Sequence, residues 1–143
     1  MNQDFSNHRQ FVPGYHYVTL VLILISLIGS VVNLSNSFSD HGNLYSASLI
    51  VLMNIILGLL AFYARSFALR AQNRAIRAEE NLRHFVLTGK LLDPALRIGQ
   101  IVALRFAADT EFVALAAKAA REEMSASDIK KSISNWKGDY HRV

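Results

Sequence analysis

Two apolar runs dominate the pattern of the chain, at residues 15–34 and 44–67, and everything else is arranged before, between or after them. The first is about 20 residues, which at 1.5 Å per residue spans a hydrocarbon core of roughly 30 Å. Residues 18–34 carry no charge and are rich in Leu, Ile and Val, while Tyr15-His16-Tyr17 places amphipathic rings where such a helix would enter the headgroup zone. The second run is longer than a perpendicular crossing needs, so it must tilt or emerge, and Arg65 near its end is placed to snorkel. Between them, residues 35–43 are rich in Ser, Asn, Asp and Gly, a turn too short to return anything except an adjacent antiparallel helix. A cleaved secretory signal is the competing reading of the first run, with Ser35-Asn36-Ser37 as small residues at a cleavage-like spacing. The long leading segment with its single Arg9, and an apolar stretch beyond signal-core length, favour an uncleaved span.

Nothing after Phe67 stops the second helix until Gly89, a C-cap glycine following Thr88. A continuous helix over 44–88 would be about 68 Å long. Along it runs a repeat of alternating +3 and +4 steps: Ala47, Ile50, Asn54, Leu57, Ala61, Ala64, Ala68, Ala71, Ala75, Ala78, Leu82 and Phe85. That alternation draws one seam along a helix, and its alanines allow another helix to approach closely. Stiffening of the stem by a strong helix former is the plainer account of alanine. A period held over the whole distance favours helix contact, with the first span above and the fourth helix below, a second copy of the stem or a helix of another protein as the partner.

Beyond the stem, Asp93-Pro94 reads as an N-cap and first-turn proline opening a third helix that runs to Ala107. It would present Leu96, Ile98, Ile101, Val102, Leu104 and Phe106 to a core; a strand over 98–106 is the weaker alternative, because alternation is unclear. Asp109 is placed to cap a fourth helix over 110–124, and Ser125 or Ser127 a short fifth carrying Ile129, Ile133 and Trp136. The fold expected is all-α: an N-terminal arm (1–14), a two-span transmembrane hairpin (15–67, loop 35–43), and a long second helix running into a small helical bundle (68–143).

Charge changes this picture by giving it a direction. The chain of 143 residues is +4 overall, yet residues 65–105 hold eight bases (Arg65, Arg70, Arg74, Arg77, Arg83, Lys90, Arg97 and Arg105) against Glu79, Glu80 and Asp93, a local surplus of +5. The 35–43 loop has no Lys or Arg, so the positive-inside rule puts both termini in the cytoplasm and the loop outside. Arg70, Arg74 and Arg77 share one helix face at i, i+4, i+7, and with Arg65 they form a candidate site for anionic lipid, each worth on the order of 1 kcal/mol near the surface. Solvated topology charges are the plainer reading. Nucleic acid is disfavoured as a partner, since no recognition motif or aromatic platform accompanies the stripe.

Candidate chemistry adds little. Without cysteine there are no thiolate sites or disulfides. Asn33 and Asn54 are neutral amides, and with Ser26, Gly29, Ser30 and Gly58 they suit close packing and interhelical hydrogen bonds better than ion conduction. The histidines (His8, His16, His41, His84 and His141) are scattered; Glu80 and His84 stand one turn apart but lack a second carboxylate–histidine pair, and His16 lacks an opposite histidine for haem. No catalytic residue, metal or cofactor is expected. The contacts named by these patterns are therefore the bilayer and other helices, in a homo-oligomer or a larger membrane complex.

Short stretches across the chain resemble a family of small bacterial membrane proteins of unknown function. These are Asn7-His8-Arg9 and Val12-Pro13 ahead of Tyr15-His16-Tyr17, Leu104-Arg105-Phe106-Ala107-Ala108-Asp109 with Glu111, and Ile129-Lys130 through Trp136, Asp139 and Arg142. The resemblance implies two spans, a helical cytoplasmic tail and a bacterial inner membrane. It implies no activity and no functional residue.

Overall fold

The computed structural model describes residues 4–5 and 12–139. Its elements are a π-helical segment Gly14–Thr19 continuing into α1 (Leu20–Asn36), then α2 (His41–Thr88), α3 (Ile98–Leu104), α4 (Asp109–Arg121) and α5 (Ala126–Lys131). The fold is all-helical, with no strand among the described residues; the nearest thing to one is an isolated antiparallel bridge between Ala107 and Trp136. The chain forms two compact units that divide α2 between Ala68 and Leu69.

In the first unit, α1 and the upper part of α2 form a helical hairpin. Its turn is tighter than the composition of 35–43 suggests, with four residues between the helices. Asp40 explains this: its carboxylate accepts from the Gly42 and Asn43 N–H groups at 3.0 and 3.3 Å, satisfying donors that a helix start leaves orphaned, so α2 begins at His41. The Ser37 hydroxyl donates to Asn33 O (2.7 Å) and accepts from Asn43 Nδ2 (2.7 Å), joining the end of α1 to the first turn of α2. At the other end Tyr15 reaches across to Ala61, its phenol donating to the backbone carbonyl at 2.6 Å. Between these ties the less exposed positions repeat at threes and fours on each helix: Ile23, Leu27, Ser30, Leu34 and Ser37 on α1, and Leu44, Ala47, Val51, Asn54, Gly58, Ala61 and Arg65 on α2. That is the spacing of two antiparallel helices packed along one seam.

In the second unit, the lower part of α2 carries a small bundle. Gly89 adopts φ 74° and returns its N–H to Phe85 O at 2.7 Å, ending α2 where the sequence predicts. The Leu92 N–H then donates to the Asn81 side chain (3.2 Å), turning the chain back along α2. Asp93-Pro94 does not start a helix. Proline takes the second position of a β-turn, closed by Leu96 N–H to Asp93 O (3.0 Å) and by Ala95 N–H to the Asp93 carboxylate (2.9 Å). α3 starts four residues later, where Gln100 reaches back to the Arg97 N–H at 2.7 Å and its amide donates to Met124 O at 2.8 Å. α5 is capped by Ser125 rather than Ser127: Ser125 Oγ accepts from the Asp128 N–H at 3.1 Å.

The core of this unit is Leu92, Leu96, Ile101, Ala103, Leu104, Ala107, Phe112, Leu115, Ala116, Ala119 and Ile129. Trp136 lies beyond the end of α5 in an extended segment, where Lys137 N–H donates to Phe106 O (2.7 Å) and Ala108 N–H to Asn135 O (3.0 Å). The indole stacks on Phe106 with centroids 4.7 Å apart. Glu111 fixes the same segment from α4, its carboxylate accepting from the Ser134 and Asn135 N–H groups at 3.1 and 2.9 Å.

Candidate functional site

The long helix α2 holds the whole helix-contact seam and the arginine stripe, and the structure sorts them by face. Ala47 and Asn54 are buried and Ala61 and Ala68 half-buried; Ile50, Leu57 and Ala64 are exposed. The face toward α1 thus takes Val51, Gly58 and Arg65 as its alternate positions, one helix edge away from the drawn seam. Both choices alternate threes and fours through Ala47, Asn54 and Ala61, which is why spacing does not separate them. Along the lower part of α2, Ala71, Ala75, Ala78, Leu82 and Phe85 all face outward, Ile76 and Glu80 are buried, and the tail is bonded to Asn81 and Arg83.

The polar residues of the two apolar runs also divide. Ser26, Gly29 and Asn33 are exposed, and a side chain built at Gly29 or Gly58 would touch nothing within 4 Å, so neither glycine is a pinch point. Ser30 and Asn54 are buried but bond within their own helices, Ser30 Oγ to Leu27 O (2.8 Å) and Asn54 Nδ2 to Ile50 O (2.9 Å). The Asn54 Oδ1 has no hydrogen-bond partner. The ties between the helices come instead from Tyr15 and Ser37, which the sequence pattern presents as an interface ring and a turn residue.

Of the arginines, Arg65 is half-buried with its guanidinium 6.0 Å from the Tyr15 ring centre, while Arg70, Arg74 and Arg77 are exposed. Arg74 and Arg77 line a shallow open groove of about 370 Å³ together with Ala78, Asn81 and Ile98. Asn81 and the apolar wall of Ile98 give that groove a shape the arginine spacing alone does not reveal.

Sequence reasoning missed a heavily bonded cation. Arg83 sends Nη1 to Glu80 Oε2 (3.0 Å), Nη2 to Ala107 O (2.7 Å) and Nε to Asp109 Oδ1 (2.6 Å), and lies 4.2 Å from the centre of the Phe112 ring. One side chain therefore pins the start of α4 to α2. Asp109 is consequently not a cap; it is the first residue of α4, after Ala108. The Glu80–Arg83 spacing of three was a visible signal, but Asp109 lies 26 residues away in sequence. A second cation, Arg105, pairs with Asp139 at 2.9 Å and covers Phe106 at 4.5 Å.

Glu80 is thus engaged by Arg83, and His84 Nδ1 lies 2.7 Å from Lys90 O, a contact in which the ring must donate. Among the described residues no three of His, Cys, Asp or Glu gather as a metal site. His8 and His141, like Asn7, Arg9 and Arg142, lie outside the described residues. What the arrangement offers chemically is contact surface: an apolar face, a basic groove beside it, and a closed core behind.

No curated protein and no solved structure matches the chain. A family model does, over residues 1–143: the chain belongs to the family of unknown function DUF6526.

Proposed function

We propose that this chain is a small non-enzymatic integral membrane protein that works through helix contacts, as a self-associating scaffold or an accessory subunit of a larger inner-membrane assembly. Its place would be the bacterial cytoplasmic membrane, with both termini in the cytoplasm. Two helices, Gly14–Asn36 and the upper part of α2, are long and apolar enough to cross a bilayer, and only 6% and 11% of their most apolar windows is buried within the chain. A core helix of a soluble protein would be mostly buried, so the exposure of these windows supports a membrane setting. The arginines after Phe67, against a turn without Lys or Arg, support the orientation with both termini in the cytoplasm.

The observation that carries the contact function is the outward face of lower α2, where Leu82 and Phe85 remain 63% and 51% exposed beside a core that is already closed. Native mass spectrometry from membranes tests it. Stoichiometric complexes are expected; strictly monomeric protein, with no stoichiometric partner in native pull-downs, overturns the reading.

The groove at Arg74 and Arg77 favours a second reading, a membrane-surface module for anionic lipid or another polyanion. Replacing Arg70, Arg74 and Arg77 with Gln should then reduce retention of anionic lipid. Unchanged lipid retention removes this reading.

A further inference from the structure

We propose that the exposed face of lower α2 is covered by the same face of a second copy, as a parallel, in-register two-helix coiled coil over residues 71–86. This rests on the helix-contact reading and names its partner, orientation and register. The surface is defined by Leu82, Phe85 and Val86, which are 63%, 51% and 75% exposed, with Ala71, Ala75 and Ala78 continuing it upward in steps of three and four. Large apolar side chains in that repeat are the a and d positions of a coiled coil. At 100° per residue, Glu80 lies on roughly the opposite side of the helix. The tail is held through Arg83, to Asp109 and Ala107, and through Asn81, to Leu92, with Ile98 beside Ala78 across the groove; Leu82, Phe85 and Val86 stay open to a second helix.

Orientation follows from insertion. Two copies placed in one membrane by the same charge asymmetry present α2 running in the same direction. In a parallel pair the residue flanking one edge of the seam meets the residue five positions further along the partner's other edge. Arg74 stands one place before Ala75 and Glu79 one place after Ala78, so the two occupy opposite edges at that separation. Both are exposed. In register, the partner's Glu79 comes to Arg74 at the groove where Arg77 is also available, and the symmetric pair forms on the other side. An antiparallel pair would set like edges together, arginine toward arginine. Electrostatics therefore select the arrangement that the membrane already imposes.

Some five seam positions are too few to hold an isolated coiled coil in water. Confinement of both copies to a membrane supplies the effective concentration that a short seam needs. The experiment therefore uses the full chain in native membranes, where the absence of native cysteine makes single-cysteine variants clean. Leu82→Cys and Ala78→Cys should give disulfide-linked dimers on mild oxidation, with yields several-fold above Leu87→Cys on the far side of the helix. On the Leu82→Cys background, Arg74→Glu or Glu79→Arg alone should cut the dimer yield several-fold, and the double exchange should restore it.

Equal yields at positions 82 and 87 would mean random collision and overturn the proposal. So would a double exchange that fails to rescue. If no dimer forms but native mass spectrometry shows a stoichiometric complex with a different protein, the second copy is wrong and the helix-contact reading stands. If neither dimer nor complex appears, both fall.

Discussion

In the hairpin, Leu22, Ile25, Met53 and Leu60 each turn more than half of their surface outward, and on lower α2 and the loop after it Leu82, Val86 and Leu91 do the same. Under the proposed placement the two sets have different meanings, because they face different solvents. Lipid is as apolar as leucine, so outward leucines in the hairpin need no partner, and the seam between its helices can consist of small and polar groups. Water drives apolar surface inward, and the tail obeys this with Phe106, Phe112, Ile101 and Leu104 fully buried. Leu82, Phe85, Val86 and Leu91 are exceptions to a rule that the core of their own unit follows, whereas Leu22 and Ile25 are not exceptions at all.

The sharpest way to break this comparison is to remove a buried ring from the tail. Phe112→Ala should destabilise the bundle by about 3–5 kcal/mol through lost burial and the cavity left behind. Urea titration in mild detergent reads it by the fluorescence of Trp136, the chain's single tryptophan, which is stacked on Phe106. A loss below about 1 kcal/mol would mean that the tail core is not the organising feature described. Arg83→Met comes next. It strips the ion-pair partner from Glu80, whose side chain is 10% exposed, and from Asp109, whose side chain is 64% exposed and regains water readily. The expected cost is about 2–3 kcal/mol, below that of a fully buried pair, with α4 released from α2. Proteolysis near Ala107 should rise in step; unchanged protection would show that Arg83 is an ornament of the interface.

Those two variants also mark where sequence reading stops. The run of α2 to Thr88 and the Gly89 stop were legible because each is a local pattern with one physical solution, while the cap of α5 was legible only as Ser125 or Ser127. Asp93-Pro94 was not, because aspartate then proline suits a helix start and a β-turn equally until Leu92 and Leu96 are buried. Asp109 reads as a cap only while Arg83 is out of view. The face of α2 toward α1 was half legible: Ala47, Asn54 and Ala61 lie on it in either register, and an alanine-rich helix gives no contrast in size to choose between Ile50 and Val51. Arg74 and Arg77 were legible as charge, but not as walls of a groove with Ile98.

Smaller effects test the hairpin side. Tyr15→Phe removes the phenol donor to Ala61 O and keeps the ring beside Arg65. A loss of about 0.6–1 kcal/mol in hairpin stability is expected, in line with interhelical hydrogen bonds in membranes. Detergent-titrated unfolding measures it, and no change would indicate that this tie is replaced by solvent. In the tail, Leu82→Ser should move the Trp136 unfolding midpoint by less than about 0.5 kcal/mol, since the side chain contributes little to its own unit. A cost approaching that of Phe112→Ala would erase the distinction between the two exposed sets.

Asn54→Ala has the smallest expected effect on the isolated hairpin. Asn54 is 5% exposed, its Nδ2 donates to a carbonyl of its own helix, and its Oδ1 is buried without a partner. Truncation loses one weak intrahelical hydrogen bond and leaves a small void, but it also removes an unsatisfied acceptor whose burial costs about 1–3 kcal/mol. The terms nearly cancel, and alanine is the better helix former, so the hairpin should hold within about 0.5 kcal/mol of wild type. Infrared detection of the amide carbonyl in the assembled protein supplies the complementary reading, since an unpartnered C=O absorbs at higher frequency than a bonded one. If the variant instead collapses the hairpin and the carbonyl proves hydrogen-bonded, Asn54 has a donor that the single chain does not provide. The contact between lipid-facing helices would then depend on polar pairing, and the contrast with the tail would narrow to the identity of the outward side chains alone.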